Sequence, residues 1–172
     1  MGGRAVRILG IDPGTRIVGY GLVDFRQNRQ MVEKFGTFEF DATLPFSGKL
    51  LQIHSRVADL IRDVRPDGVA VEEVFVSQNA KTTLRLGHAR GVILLAAASQ
   101  DIPVHEYAPR EIKQAVMGRG NATKAQVKWM MSQMLNIRID DLSEDAADAL
   151  AAALCHGLRQ SGAAAILSRR SR

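Results

Sequence analysis

Two short apolar runs in this chain each end in a carboxylate. Val6-Arg7-Ile8-Leu9-Gly10-Ile11 stops at Asp12, and Val69-Ala70-Val71 stops at Glu72. Both runs read as buried β-strands, bounded by turn residues. An acid at the end of such a strand is costly if buried without a partner. The chain must therefore fold so that something cationic meets these acids. A strand's carboxyl end is also where α/β folds keep their sites. Asp12 precedes Pro13-Gly14, so a turn-capping role is its plain alternative. Glu73 follows Glu72 directly, and adjacent strand residues face opposite sides of a sheet. Periodicity alone leaves open which of the two points toward Asp12.

The rest of the chain supplies a framework for those two ends. Ile17–Phe25 and Met31–Phe40 read as strands that form a meander with the first. Phe46 to Val64 has helical spacing, with an apolar stripe of Leu50, Ile53, Val57, Leu60, Ile61 and Val64. Arg65-Pro66-Asp67-Gly68 stops it. Val69–Val74 is a fourth strand. Asn79–Ala98 is a second helix with Leu84, His88, Gly91 and Leu95 on one face, and Val104–Tyr107 is a short fifth strand. Pro109 opens a helix to Met117. Thr123-Lys124-Ala125-Gln126 has the form of a capping box and starts a helix to about Leu135. Ser143 caps a last helix from Glu144 to about Leu158. Three meandering strands followed by strands alternating with helices predict an α/β fold: a mixed five-stranded sheet with helices on both faces. With 172 residues, one domain over residues 1–160 is expected, followed by a basic, flexible tail over 161–172.

A second pair of acids joins the first. Asp145 and Asp148 lie three apart at the start of the last helix, hence on one side of it. Like charges so spaced repel, although a helix N-terminus favours negative charge. A simple helix-start preference is the competing account. Hard oxygen ligands of this kind suit Mg²⁺ or Mn²⁺ rather than zinc. The single cysteine, Cys155, excludes a cysteine cage and an intrachain disulfide. No HxxxH pair, Gly-x-Ser-x-Gly elbow or Walker loop competes. His156 reads as a core or surface residue rather than a metal ligand, and Trp129 with Met130, Met131 and Met134 as helix core.

Charge is unevenly placed. The net charge is +5. Residues 77–138 carry nine basic and three acidic groups, while residues 139–158 carry five acids and no Lys or Arg. A basic stretch beside acids that hold metal suits a polyanion, and a nucleic acid above all. Lys113 and Lys124 flank the loop Gly118-Arg119-Gly120-Asn121, and Lys124 falls in a first helical turn, whose amides suit a phosphate. Phe75 follows the strand acids and could stack on bases; core filling is its ordinary role. The N-terminus has no secretion signal and no apolar run is long enough to span a bilayer, so a cytoplasmic setting is expected.

Several segments together resemble the RuvC family of Holliday junction resolvases. They are Ile8-Leu9-Gly10-Ile11-Asp12-Pro13-Gly14-Thr15 with Gly19-Tyr20-Gly21, Val71-Glu72-Glu73-Val74-Phe75, Asn79-Ala80 with Leu86-Gly87-His88-Ala89-Arg90-Gly91-Val92, Glu106-Tyr107-Ala108, Val116-Met117-Gly118, and Asp145-Ala146-Ala147-Asp148-Ala149-Leu150-Ala151. Their order and spacing are what make the resemblance specific. It implies a ribonuclease H-like fold, a homodimer, and cutting of four-way DNA junctions with two Mg²⁺ per active site, or Mn²⁺ in their place. It gives the catalytic and metal-holding role to Asp12, Glu72, Asp145 and Asp148, and DNA contact to Phe75, Lys113 and Lys124. Arg119, in the loop between those lysines, is assigned to DNA with them. Some relatives have histidine at the position of Asp145; this chain has the all-carboxylate set. The first fifteen to twenty residues of the Asn79–Ala98 helix are implied as the dimer surface, and a branch-migration helicase, RuvA with RuvB, as a further partner. Three rivals stand beside this reading: a ribonuclease H-like nuclease acting on RNA, a non-catalytic DNA-binding module, and an actin-like ATP-binding fragment. The last shares the Asp-x-Gly-Thr start at Asp12–Thr15, but the chain is short for it and lacks a second phosphate loop.

Overall fold

A computed structural model describes residues 5–26, 29–73 and 79–170, with side chains to residue 160. Strands β1 (Val6–Asp12), β2 (Ile17–Arg26) and β3 (Arg29–Glu39) form the expected antiparallel meander. Helix α1 (Phe46–Val64) then crosses to β4 (Gly68–Glu72), which lies parallel to β1. Helix α2 (Ala80–Ala98) crosses again to β5 (Val104–Tyr107), parallel to β4. The sheet order is β3-β2-β1-β4-β5. Helices α3 (Pro109–Met117), α4 (Lys124–Met134) and α5 (Glu144–Arg170) follow, with a single 3₁₀ turn at Ile139–Asp141.

The sheet separates two apolar layers. On one face, Leu9, Ile11, Val69 and Val71 pack against Ile53, Val57, Ile61 of α1 and Ala89, Ile93, Ala97 of α2. On the other, Ile8, Val23 and Ala70 pack against α5, with α3 and α4 outside it. α5 can lie almost on the backbone of β1 and β2 because both surfaces are small. Its buried face includes Ala146, Ala147, Ala149, Ala151, Ala152 and Ala153, beside Leu150, Leu154 and Cys155. Opposite stand Gly10 and Gly19. A Cβ on Gly10 would fall 1.8 Å from the Ala149 carbonyl oxygen, and one on Gly19 would fall 2.0 Å from that of Asp145. These glycines are required by close approach, not by their backbone angles.

Three expectations need correction, and the shared face of α2 proves to be its outer one. β4 ends at Glu72, so Glu73 lies beyond the ladder, and Val74 falls outside the described residues. The Leu84 and Leu95 side of α2 faces out, 65% and 57% exposed, while Ala89, Ile93, Ala96 and Ala97 make the buried side. Alanines let α2 sit close to the sheet and leave its bulkier residues outside. Trp129 is 53% exposed and is not core; Met131 alone of that group is fully buried. α5 does not stop near Leu158 but continues to Arg170, so the segment expected to be a flexible tail from residue 161 is helical to that point. Ala163-Ala164-Ala165-Ile166-Leu167 has high helix propensity and no breaker.

Candidate metal and nucleic-acid site

Asp12 and Glu72 end neighbouring parallel strands, since Ile11 pairs with Val71. Their carboxylates emerge together beyond the hydrogen-bonded ladder. Asp148 reaches them from the second turn of α5. One oxygen from each of the three lies within 4.8 Å of the other two. Among the described residues, no other His, Cys, Asp or Glu side chains gather closely enough to hold one ion. Glu73 is exposed, whereas Glu72 is half-buried and belongs to the cluster. Asp145 is half-buried one turn earlier on α5 and stands outside this group of three. It acts on the group through its charge, which raises the pKa of Asp12 and of Asp148.

Local signals in the sequence set each side chain. Ser143 caps α5 by accepting from the Ala146 amide at 3.2 Å, which fixes the first turns that carry Asp145 and Asp148. The capping box of α4 forms as expected: the Gln126 amide donates to Thr123 Oγ1 at 3.3 Å, and the Thr123 amide donates to Gln126 Oε1 at 3.0 Å. That start aims Lys124 at the cluster, with Nζ 2.9 Å from Asp148 Oδ2. Lys113, from α3, lines the same cleft of about 430 Å³ together with Pro13, Leu86 and Pro109. Arg119 does not reach this cleft. It borders an adjacent depression with Arg110 and Gln114. Phe75 lies outside the described residues.

The acids are held at high free energy. Burial pushes Asp12 up to about 8, helped by the charges of Glu72 and Asp148. Burial pushes Glu72 up to about 7, again with Asp148 opposing its charge. The two carboxyls hydrogen bond to each other. Asp148 is also raised by burial, although Lys124 works against that. Burial opposes the Lys124 charge, but the hydrogen bond and charge of Asp148, with Asp12 and Asp145 behind it, raise its pKa overall. Three crowded carboxyls with one ammonium at their edge fit a divalent cation. The donors are hard oxygens, and a cation would stabilise the ionised forms that burial and mutual repulsion disfavour.

Sequence reading singled out neither the apolar walls of the cleft nor a buried polar bridge behind it. Tyr107 Oη lies 2.6 Å from His156 Nδ1. His156 was expected to be a core or surface residue rather than a metal ligand, and it is buried among side chains well away from the carboxylates. Nothing in the periodicity of either segment signals that bridge.

The description "Crossover junction endodeoxyribonuclease RuvC" matches residues 8–156 of this chain. A protein of that name from Halorhodospira halophila is 48% identical over 155 residues, covering 90% of this chain and 92% of its own. Another from Magnetococcus marinus is 44% identical over 151 residues, covering 88% and 83%. Among solved structures, Thermus thermophilus RuvC superposes with a TM-score of 0.83 at 30% identity, covering 92% of this chain and 97% of that one. The same protein in complex with a Holliday junction substrate gives 0.82 at 32% identity, covering 88% and 93%. Each chain is matched over nearly its whole length, and the ribonuclease H-like arrangement of sheet and helices is shared.

Proposed function

The chain belongs to the RuvC family of crossover junction endodeoxyribonucleases, and from that premise we propose that it resolves four-way DNA junctions by paired nicks, using the carboxylate cluster to hold divalent metal. The observation that carries the reading is the position of that cluster. Asp12, Glu72 and Asp148 converge within 4.8 Å at the mouth of a cleft whose wall presents Lys113 and Lys124. Asp145, on the same side of α5, completes the acidic set. Two Mg²⁺ ions bound there would activate water for attack on phosphorus and stabilise the departing 3′ oxygen. The residues' own work is to bind and orient. The acids neutralise metal charge, and Lys124 restrains Asp148 and offers its ammonium to a phosphate oxygen. Lys113 steadies the backbone at the cleft wall, and Arg119 with Arg110 receives it farther along. Phe75 is assigned to the junction bases.

The further parts of the reading concern assembly. The exposed Leu84–Leu95 side of α2 suits a homodimer, which presents two identical sites to a junction of matching symmetry. Branch-migration proteins of the RuvA and RuvB kind are the partners expected with it, in the cytoplasm. No helix among the described residues is long and apolar enough to cross a membrane.

The test uses a synthetic four-way junction, a linear duplex and an RNA–DNA hybrid, each with and without Mg²⁺. Wild-type protein should nick the junction symmetrically and only with metal. Asp12→Asn should lose cutting while binding the junction as well or better, because less negative charge then faces the phosphates. Preferred cutting of the hybrid would favour a ribonuclease, and substantial cutting by Asp12→Asn would remove Asp12 from the metal site.

A further inference from the structure

Helix α5 packs over β1, β2, β3 and β4, and a side-chain bridge ties it to β5. Over β1 and β2 it rests on glycine, with the Ala149 and Asp145 carbonyls against Gly10 and Gly19. Over β5 the contact is polar. Tyr107 is the register partner of Glu72, and its carbonyl accepts from the Glu73 amide at 2.9 Å. Directly paired residues of parallel strands project to the same face. The Tyr107 ring therefore stands beside Glu72 on the side that faces α5. Its hydroxyl meets His156 Nδ1 at 2.6 Å, and the two residues are only 9% and 3% exposed.

The partners of His156 define the bond. Gln160 Nε2 lies 2.9 Å from His156 Nε2. With the Gln160 amide donating to Nε2, Nδ1 carries the proton and Nδ1–H donates to Tyr107 Oη; the opposite tautomer reverses both bonds and keeps the bridge. His105 of β5 stacks on the imidazole at 4.0 Å between centroids, tilted by 24°. Arg159 lies 5.1 Å over the Tyr107 ring and is held at 3.0 Å by Glu111 of α3. The ring is thus fixed from β5, α3 and α5 at once.

Much of the remaining α5 face is alanine, joined by Leu150, Leu154 and Cys155. Small side chains allow close approach but interlock weakly, so they resist sliding and rotation poorly. A short, buried, directional bond does resist both. Glu72 ends β4, which lies between β1 and β5, and Asp148 lies eight residues before His156 on α5. We propose that the Tyr107–His156 hydrogen bond is a positioning clasp that sets the gap between Glu72 and Asp148 and thereby the affinity of the cluster for divalent metal. The proposal rests on the metal-holding role of that cluster. Neither side chain touches the reacting atoms.

The measurement is Mn²⁺ binding by thermal shift and calorimetry, in the whole protein without DNA. Tyr107→Phe should raise the half-saturating Mn²⁺ concentration about tenfold, the low end of the loss seen when groups behind metal ligands are removed. Junction binding without metal should stay unchanged. Cleavage should recover at saturating metal. A merely structural role predicts a lower Tm with the half-saturating concentration unmoved. His156→Asn keeps an N–H near the position of Nδ1 and should bind metal more tightly than His156→Leu. That pair carries the comparison if Tyr107→Phe folds poorly. Half-saturation within twofold of wild type in Tyr107→Phe, or equal values in the two His156 variants, overturns the clasp. Asp12→Asn separates the two ideas: if it binds Mn²⁺ as wild type does, the metal reading itself falls.

Discussion

Asp12 and Glu72 are half-buried carboxyls that the fold makes harder to ionise, while buried His156, lowered to about 4, contributes in the opposite sense. The carboxyls' unfolded values near 4 and 4.5 become about 8 and about 7 in the fold. Below about pH 4 both states hold both protons, and the pair does not affect stability. As pH rises from there toward 7 and 8, the unfolded chain has released protons that the folded chain keeps. Stability should therefore fall with rising pH through this window as the pair gives up its protons. Divalent metal held by the ionised acids, as proposed, should cancel much of that fall. In EDTA, the urea midpoint should drop between pH 5 and pH 7; with Mn²⁺ it should stay nearly level. Asp12→Asn should flatten the EDTA profile and blunt the response to Mn²⁺. An unchanged profile in that variant would take Asp12 out of the buried acid pair. Which of Glu72 and Glu73 joins Asp12 could not be read from alternation alone. The family resemblance pointed to Glu72, and the geometry agrees because β4 ends at that residue.

At the scale of elements, the contact between α5 and the sheet tolerates no added atom. Gly10→Ala would place a methyl 1.8 Å from Ala149 O and 2.8 Å from Ala153 N, both backbone. Neither can rotate away, so α5 must lift, carrying Asp148 from the strand acids. The expected loss of stability is about 1–3 kcal/mol or more, with cleavage lost even where the variant is still folded. Urea unfolding and nicking on one preparation check both; normal cutting would mean that α5 can shift without cost to the site. On the outer side, α3 and α4 present the basic wall. Lys113→Ala and Lys124→Ala should each weaken junction binding across sequences and lower the slope of log affinity against log salt by about one. Unchanged slopes would assign these lysines to solvent. Lys124→Ala should also alter metal dependence, because it releases Asp148 from its 2.9 Å ion pair.

At the scale of the whole molecule, the exposed side of α2 is the natural place for a second copy. If the proposed homodimer forms through this side, Leu84→Glu with Leu95→Glu should give a monomer by sedimentation that keeps its fold, because neither side chain packs in the protomer's core, with a lower Tm than the dimer. Such a monomer should bind a junction more weakly and nick one strand without its symmetric partner; a dimer that persists would place the interface elsewhere. The sequence by itself determined the two acid-ended strands, the meander, the α1 stripe, the caps at Thr123 and Ser143, and the basic middle of the chain. Each of these is a local pattern: alternation, helical period, or a side chain bonding its own backbone a few residues away. Only the tertiary structure decided that Asp148 enters the strand-acid cluster while Asp145 stands behind it, that the outer face of α2 is Leu84 and Leu95, and that Tyr107 reaches His156. Those outcomes depend on how closely α2 and α5 approach the sheet. That distance is set by glycines and alanines on elements far apart in sequence, which leave no periodic mark in either segment alone.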